Sequence, residues 1–134
     1  MRELAPYRGN AYELTLRVAF IVAITVAAVA HIPVIAPHLE EAPYMGVLFI
    51  AFTAACFVLG LAVAVTGKTW AYRASVAVCG AGVLAYAATR LVAFPQLSDD
   101  VSNWFEPLGV VSVVSETVVV GLALLVLKLR NRAH

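Results

Sequence analysis

The sequence predicts an all-α integral membrane protein: an antiparallel up-down-up-down bundle of four transmembrane helices forming one domain over 1–134, with both termini cytoplasmic. Three observations lead there. Of 134 residues, 63% are hydrophobic and only 13% charged, whereas a soluble domain is about half apolar and about a quarter charged. The apolar residues fall into four successive runs. The cationic residues gather at one end of the resulting topology.

The runs cover about 14–36, 44–66, 70–94 and 108–127. Each reaches the ~20 residues that span a hydrocarbon layer of about 30 Å at about 1.5 Å per residue. Val, Thr and Phe within them would favour strands in water. In lipid, however, only helices or closed barrels satisfy the backbone, and continuous apolar runs lack the alternation of a barrel.

Arg2, Arg8 and Arg17 precede or open the first helix, Lys68 and Arg73 flank the middle connection, and Lys128, Arg130 and Arg132 follow the fourth. Eight of nine cations therefore share one side, which the positive-inside rule makes cytoplasmic. The expected location is a cell membrane of the bacterial plasma-membrane kind. The outer loops, 37–43 and 95–107, carry Glu40, Glu41, Asp99, Asp100 and Glu106 without Lys or Arg. Tyr44 and Trp104 sit where aromatic anchors meet the membrane interface, as does Phe105, with Trp70 and Tyr72 at the inner side.

Ala28-Val29-Ala30 after an Arg-flanked apolar stretch resembles a signal-peptide cleavage site. Pro33 close behind argues for an uncleaved helix. Cys56 and Cys79 lie deep in apolar runs, so packing is expected of them rather than disulfide or metal chemistry. Gly60, Ser75, Gly80, Ala81, Gly82 and Gly121 let helices approach closely, the usual packing device in lipid.

Ionisable groups inside spans cost a few kcal/mol each on insertion scales and require a partner or a purpose. His31, Arg90 and Glu116 are such groups. Counted from Pro95 and Pro107, Arg90 lies about 7 Å and Glu116 about 13 Å below the outer boundary. An Arg90–Glu116 pair is the simplest expectation, either as a register lock or as the floor of an outward-facing cavity lined by Ser112, Ser115 and Thr117.

The stretch "HIPVIAPHLEEAPYMG", His31 to Gly46, places two histidines, two glutamates and three prolines above that floor. In an unbroken helix His31 and His38 are about 10 Å apart, too far to chelate one ion. Pro33 and Pro37 decide the matter. If they break the helix, His31, His38, Glu40 and Glu41 converge beneath Asp99 and Asp100; if it continues, the stretch is a polar turn. Such nitrogen and oxygen ligands suit a divalent transition metal: zinc, copper(II), manganese or iron. No haem is expected, since His31 is the only intramembrane histidine. A serine triad from Ser98 or Ser102 with His38 and Asp99 has no supporting spacing.

The leading functional expectation is a small membrane protein that binds a divalent metal or another cationic ligand at its outer face. An accessory subunit docking a protein partner, or a homo-oligomer, is the first alternative. A membrane enzyme acting on a lipid or quinone is the second, and it requires a lateral opening toward Arg90 and Glu116. The net charge of +1, without a basic stripe, argues against nucleic acid. Few polar residues occupy the inner half, so a monomeric pore is not expected.

Overall fold

The computed structural model describes residues 4–133, with side chains from residue 11. Arg2 and His134 lie outside the described residues, as does the side chain of Arg8. Among the described residues every regular element is helical: α1 (Leu4–Glu41), α2 (Pro43–Thr66), α3 (Thr69–Leu91), a single 3-10 turn at Ser98–Asp100, and α4 (Pro107–Arg132). All four long helices contain a stretch apolar and long enough to cross a membrane.

Local chemistry sets the boundaries. Proline opens α2 and α4 at the first helical positions, where its missing N–H removes no helical bond. Gly67 caps α2 in the left-handed conformation and donates its N–H to Val63 O at 3.0 Å. Arg130 and Arg132 occupy the last turn of α4, where cations offset the carbonyl end of the helix.

Two expected connections are corrected, and α1 and α4 also extend beyond the expected spans, to Leu4 and Arg132. The first is the loop 37–43: α1 instead runs to Glu41 with Pro33 and Pro37 inside it, and only Ala42 separates it from α2. A membrane helix tolerates such prolines because neighbouring packing holds the turn together. The second is the end of α3, which stops at Leu91 rather than at residue 94. Pro95 disfavours helical backbone at the residue before it.

The helices form a ring in which α1 packs on α2 and α4, and α4 on α3, while α2 and α3 are the least closely packed neighbours. The two ends differ in charge, so we call them the basic end (chain termini and the α2–α3 connection) and the acidic end (the α1–α2 and α3–α4 connections). The fully buried core lies toward the basic end, where Phe20 meets Tyr72 edge-on at 5.1 Å among Ile24, Val63, Val119 and Val126. Arg130 closes that end by binding Glu13 and donating to Thr69 Oγ1 at 3.2 Å.

Tyr72 Oη is buried there without a hydrogen-bond partner. Removing an unsatisfied hydroxyl removes a desolvation cost, so Tyr72→Phe should leave the unfolding free energy unchanged or raise it by about 1 kcal/mol. Thermal unfolding in detergent reads this directly, and a loss of stability instead would show that the hydroxyl is bonded.

Toward the acidic end the packing opens. Gly46 on α2 lies so close to α1 that a Cβ there would fall 2.7 Å from Leu39 N. This clamps the α1–α2 hairpin.

Candidate functional site

The space between α2 and α3 at the acidic half is a cavity of about 460 Å³. Its walls are apolar: Leu48, Ala51 and Ala55 on α2 face Val78, Ala81 and Ala85 on α3. The side chains of the two helices face each other across this gap and do not fill it. Leu48, Ala51, Ala81 and Ala85 line the cavity and are exposed, so the gap between the two helices is open.

Its floor is polar and comes from the other pair of helices. Glu116 of α4 is only 2% exposed. Ser112, one turn earlier, donates its hydroxyl to Glu116 Oε1 at 3.3 Å and lies 3.3 Å from His31 Nε2 of α1. His31 Nε2 is itself 3.8 Å from Glu116 Oε1. The other imidazole nitrogen, Nδ1, bonds Ala27 O at 2.7 Å. A carbonyl can only accept, so Nδ1 carries a proton and Nε2 is the nitrogen presented to Ser112 and Glu116.

α3 makes room for the carboxylate by having no side chain at Gly82. A Cβ there would fall 2.8 Å from Glu116 Oε1 and 3.0 Å from Phe52 Cε2. Phe52 in turn lies against the His31 ring at 4.6 Å between centroids.

The expected Arg90–Glu116 pair is not the arrangement found. Arg90 Nη1 lies 3.6 Å from Asp100 Oδ2, and Nη2 lies 3.4 Å from Glu106 Oε2. Nε donates to Asn103 O at 2.9 Å, Nη1 donates to Thr89 Oγ1 at 2.9 Å, and the guanidinium rests 4.2 Å over the Tyr86 ring. The α3–α4 connection folds back over the end of α3, which brings loop carboxylates nearer to Arg90 than one near mid-span in α4. Glu116 is thereby left with His31 as its basic neighbour.

The connection is held by side chains as well as by Arg90. Tyr86 Oη donates to Trp104 O at 2.7 Å, and Tyr44 Oη donates to Pro95 O at 2.6 Å. Tyr44 and Trp104, expected as interface anchors, thus also tie this connection to α2 and α3. Gln96 and Ser102 adopt positive φ (63° and 67°), a conformation that side chains other than glycine rarely adopt.

The six residues expected to form a metal site are dispersed. Because α1 continues through both prolines, His31 and His38 stay two turns apart, with Phe49 between them at 5.2 and 4.7 Å from the respective rings. His38 Nδ1 bonds Val34 O at 2.8 Å. Glu40, Glu41 and Asp99 face out of the protein, and Asp100 is engaged by Arg90. Among the described residues, no group of three or more His, Cys, Asp or Glu is placed to hold a metal ion. Of the expected site and floor residues, the fold brings His31 to Glu116, and Arg90 to Asp100.

No family model, curated protein or solved structure matches the chain. What the site can do must therefore come from its own chemistry.

Phe49, Phe52, Gly82 and Tyr86 belong to the site and were not legible as such. Gly82 reads in the sequence as ordinary helix packing, and an aromatic in an apolar run is indistinguishable from core. The one usable signal was Ser112 four residues before Glu116, which places a hydroxyl on the same helix face as the carboxylate.

Proposed function

We propose that this small four-helix membrane protein binds a lipid-soluble organic molecule, an apolar body carrying one polar group, in the cavity between α2 and α3. The observation that carries the reading is the combination of an open gap between two helices with a polar floor. Leu48 and Ala81 line the cavity and are exposed, while Glu116, Ser112 and His31 converge at its far side. At about 460 Å³ the cavity falls within the roughly 300–1,000 Å³ of small-molecule sites. An apolar body loses little on passing from lipid to an apolar cavity, and the polar group finds bonding partners that the hydrocarbon layer lacks.

By the positive-inside rule the basic end faces the cytoplasm, so the mouth opens into the outer leaflet. The ligand then enters from the membrane without crossing it.

Native mass spectrometry of the protein released from lipid nanodiscs tests the reading. A bound organic molecule should accompany the wild type and be lost from Ala85→Phe, which fills the cavity from its wall. Equal retention by both would overturn the proposal.

A divalent metal remains the second reading, because His31 and Glu116 supply two adjacent ligand groups at 3.8 Å. It requires near-stoichiometric metal in the purified protein, lost in the His31→Ala variant. Unchanged metal content in that variant would remove it.

A further inference from the structure

The polar floor of the cavity is short of one hydrogen-bond donor. His31 Nδ1 spends its proton on Ala27 O, so in the neutral ring Nε2 offers only a lone pair. Glu116 offers two acceptor oxygens. Between them stands one hydroxyl with a single proton, that of Ser112, whose oxygen lies 3.3 Å from His31 Nε2 and 3.3 Å from Glu116 Oε1. Ser115 cannot help, because its hydroxyl donates to Ser112 O at 2.8 Å. Arg90, the guanidinium lining the same cavity, is committed to Asp100, Glu106, Asn103 O and Thr89.

A carboxylate, an imidazole lone pair and one shared hydroxyl proton cannot all be satisfied. Either the cluster holds an extra proton, or a donor must come from the cavity. A neutral hydroxyl would supply a hydrogen bond but leave the carboxylate charge without a counter-ion in an apolar surrounding. A protonated amine supplies both. The aromatic rings of Phe49 and Phe52 beside His31 add faces that attract a cation.

Building on the cavity reading above, we infer that the ligand's polar group is a protonated amine, which binds Glu116 and His31 Nε2 in place of a proton held by the cluster. The exchange balances: R–NH3⁺ enters, one proton leaves to solvent, and the charge of the site is unchanged. Binding therefore releases a proton, and amine affinity rises with pH, by up to about tenfold per pH unit while the cluster is protonated.

Few other ionisable groups face Glu116. α1 presents His31, with His38 farther along the cavity; the buried Cys56 of α2, paired with Cys79 of α3, lies near Glu116, and α3 presents Tyr86 and Arg90 nearer the acidic end. The α3–α4 connection adds Asp100 and Glu106, both held by Arg90.

The test uses full-length protein in nanodiscs and three probes of one shape: 1-adamantanamine, 1-adamantanol and 1-adamantanecarboxylate, measured by equilibrium dialysis between pH 5 and 8. The expected result is tightest binding of the amine, with affinity rising at least tenfold across the range, no such rise for the alcohol, and weakest binding of the carboxylate. Glu116→Gln should abolish both the pH dependence and the preference for amine over alcohol. Equal, pH-independent binding of amine and alcohol to the wild type would overturn the amine assignment and leave the cavity reading standing. Failure of all three probes to bind would overturn both.

Discussion

Replacing Arg90 by alanine should lower the unfolding free energy by about 3 kcal/mol and loosen the whole connection between α3 and α4. The guanidinium is buried and holds Asp100, Glu106 and Asn103 O at once. Removing one partner of a buried pair costs about 3–5 kcal/mol because the other charges lose their counter-ion. Glu106 is more than a third exposed and recovers some hydration, which places the effect at the lower end. Arg90→Lys should recover only part of it, since an ammonium lacks the planar fork that reaches two carboxylates and a carbonyl together. Thermal unfolding measures the loss, and hydrogen exchange should show faster exchange at Ser102 N, which donates to Arg90 O. An alanine variant as stable as wild type would mean that the loop is held by Tyr44 and Tyr86 alone.

The same substitution, glycine to alanine, should have opposite effects at Gly46 and Gly121. At Gly46 an added Cβ would sit 2.7 Å from Leu39 N and from the Leu39 side chain, so the α1–α2 hairpin must open. Overpacking costs about 1–3 kcal/mol and more where main chain has to move, which outweighs the ~1 kcal/mol that alanine gains by helix propensity. At Gly121 nothing lies within 4 Å of the position, and the propensity gain should appear as a stabilisation of up to ~1 kcal/mol. Paired thermal unfolding of the two variants reads both signs. A stabilising Gly46→Ala would contradict the close crossing of α1 and α2.

These two sites also show what the sequence could and could not reveal. Four apolar runs were legible because crossing lipid imposes a length and forbids open backbone, whereas the length of the first connection was not. Glu116 was legible as a group in need of a partner for the same reason. The partner itself was not, because which carboxylate reaches Arg90 depends on how the loop carrying Asp100 and Glu106 folds back, and Gln96 and Ser102 turn that loop through backbone conformations that composition does not announce. The prolines of the first helix illustrate the limit from the other side. Their rings oppose helix in water, yet α1 passes through Pro33 and Pro37 unbroken, and this fixes His31 on the cavity floor and His38 along its wall. An outward-facing cavity above Glu116 was an expectation of the sequence, but its place between α2 and α3 was not legible, since it arises from residues on those helices that do not fill the gap.

The central claim is that a membrane-dissolved molecule enters between α2 and α3 and rests its polar group on His31, Ser112 and Glu116. The most direct measurement is photolabelling in membranes with an amphipathic alkyl diazirine, followed by peptide mapping of the adducts. Labels should concentrate on Phe49, Phe52 and Ala85 inside the cavity and be displaced from them in the Ala81→Phe and Ala85→Phe variants. Labels spread evenly over outward-facing residues such as Val58, Leu61 and Val65, with none protected by filling the cavity, would contradict it.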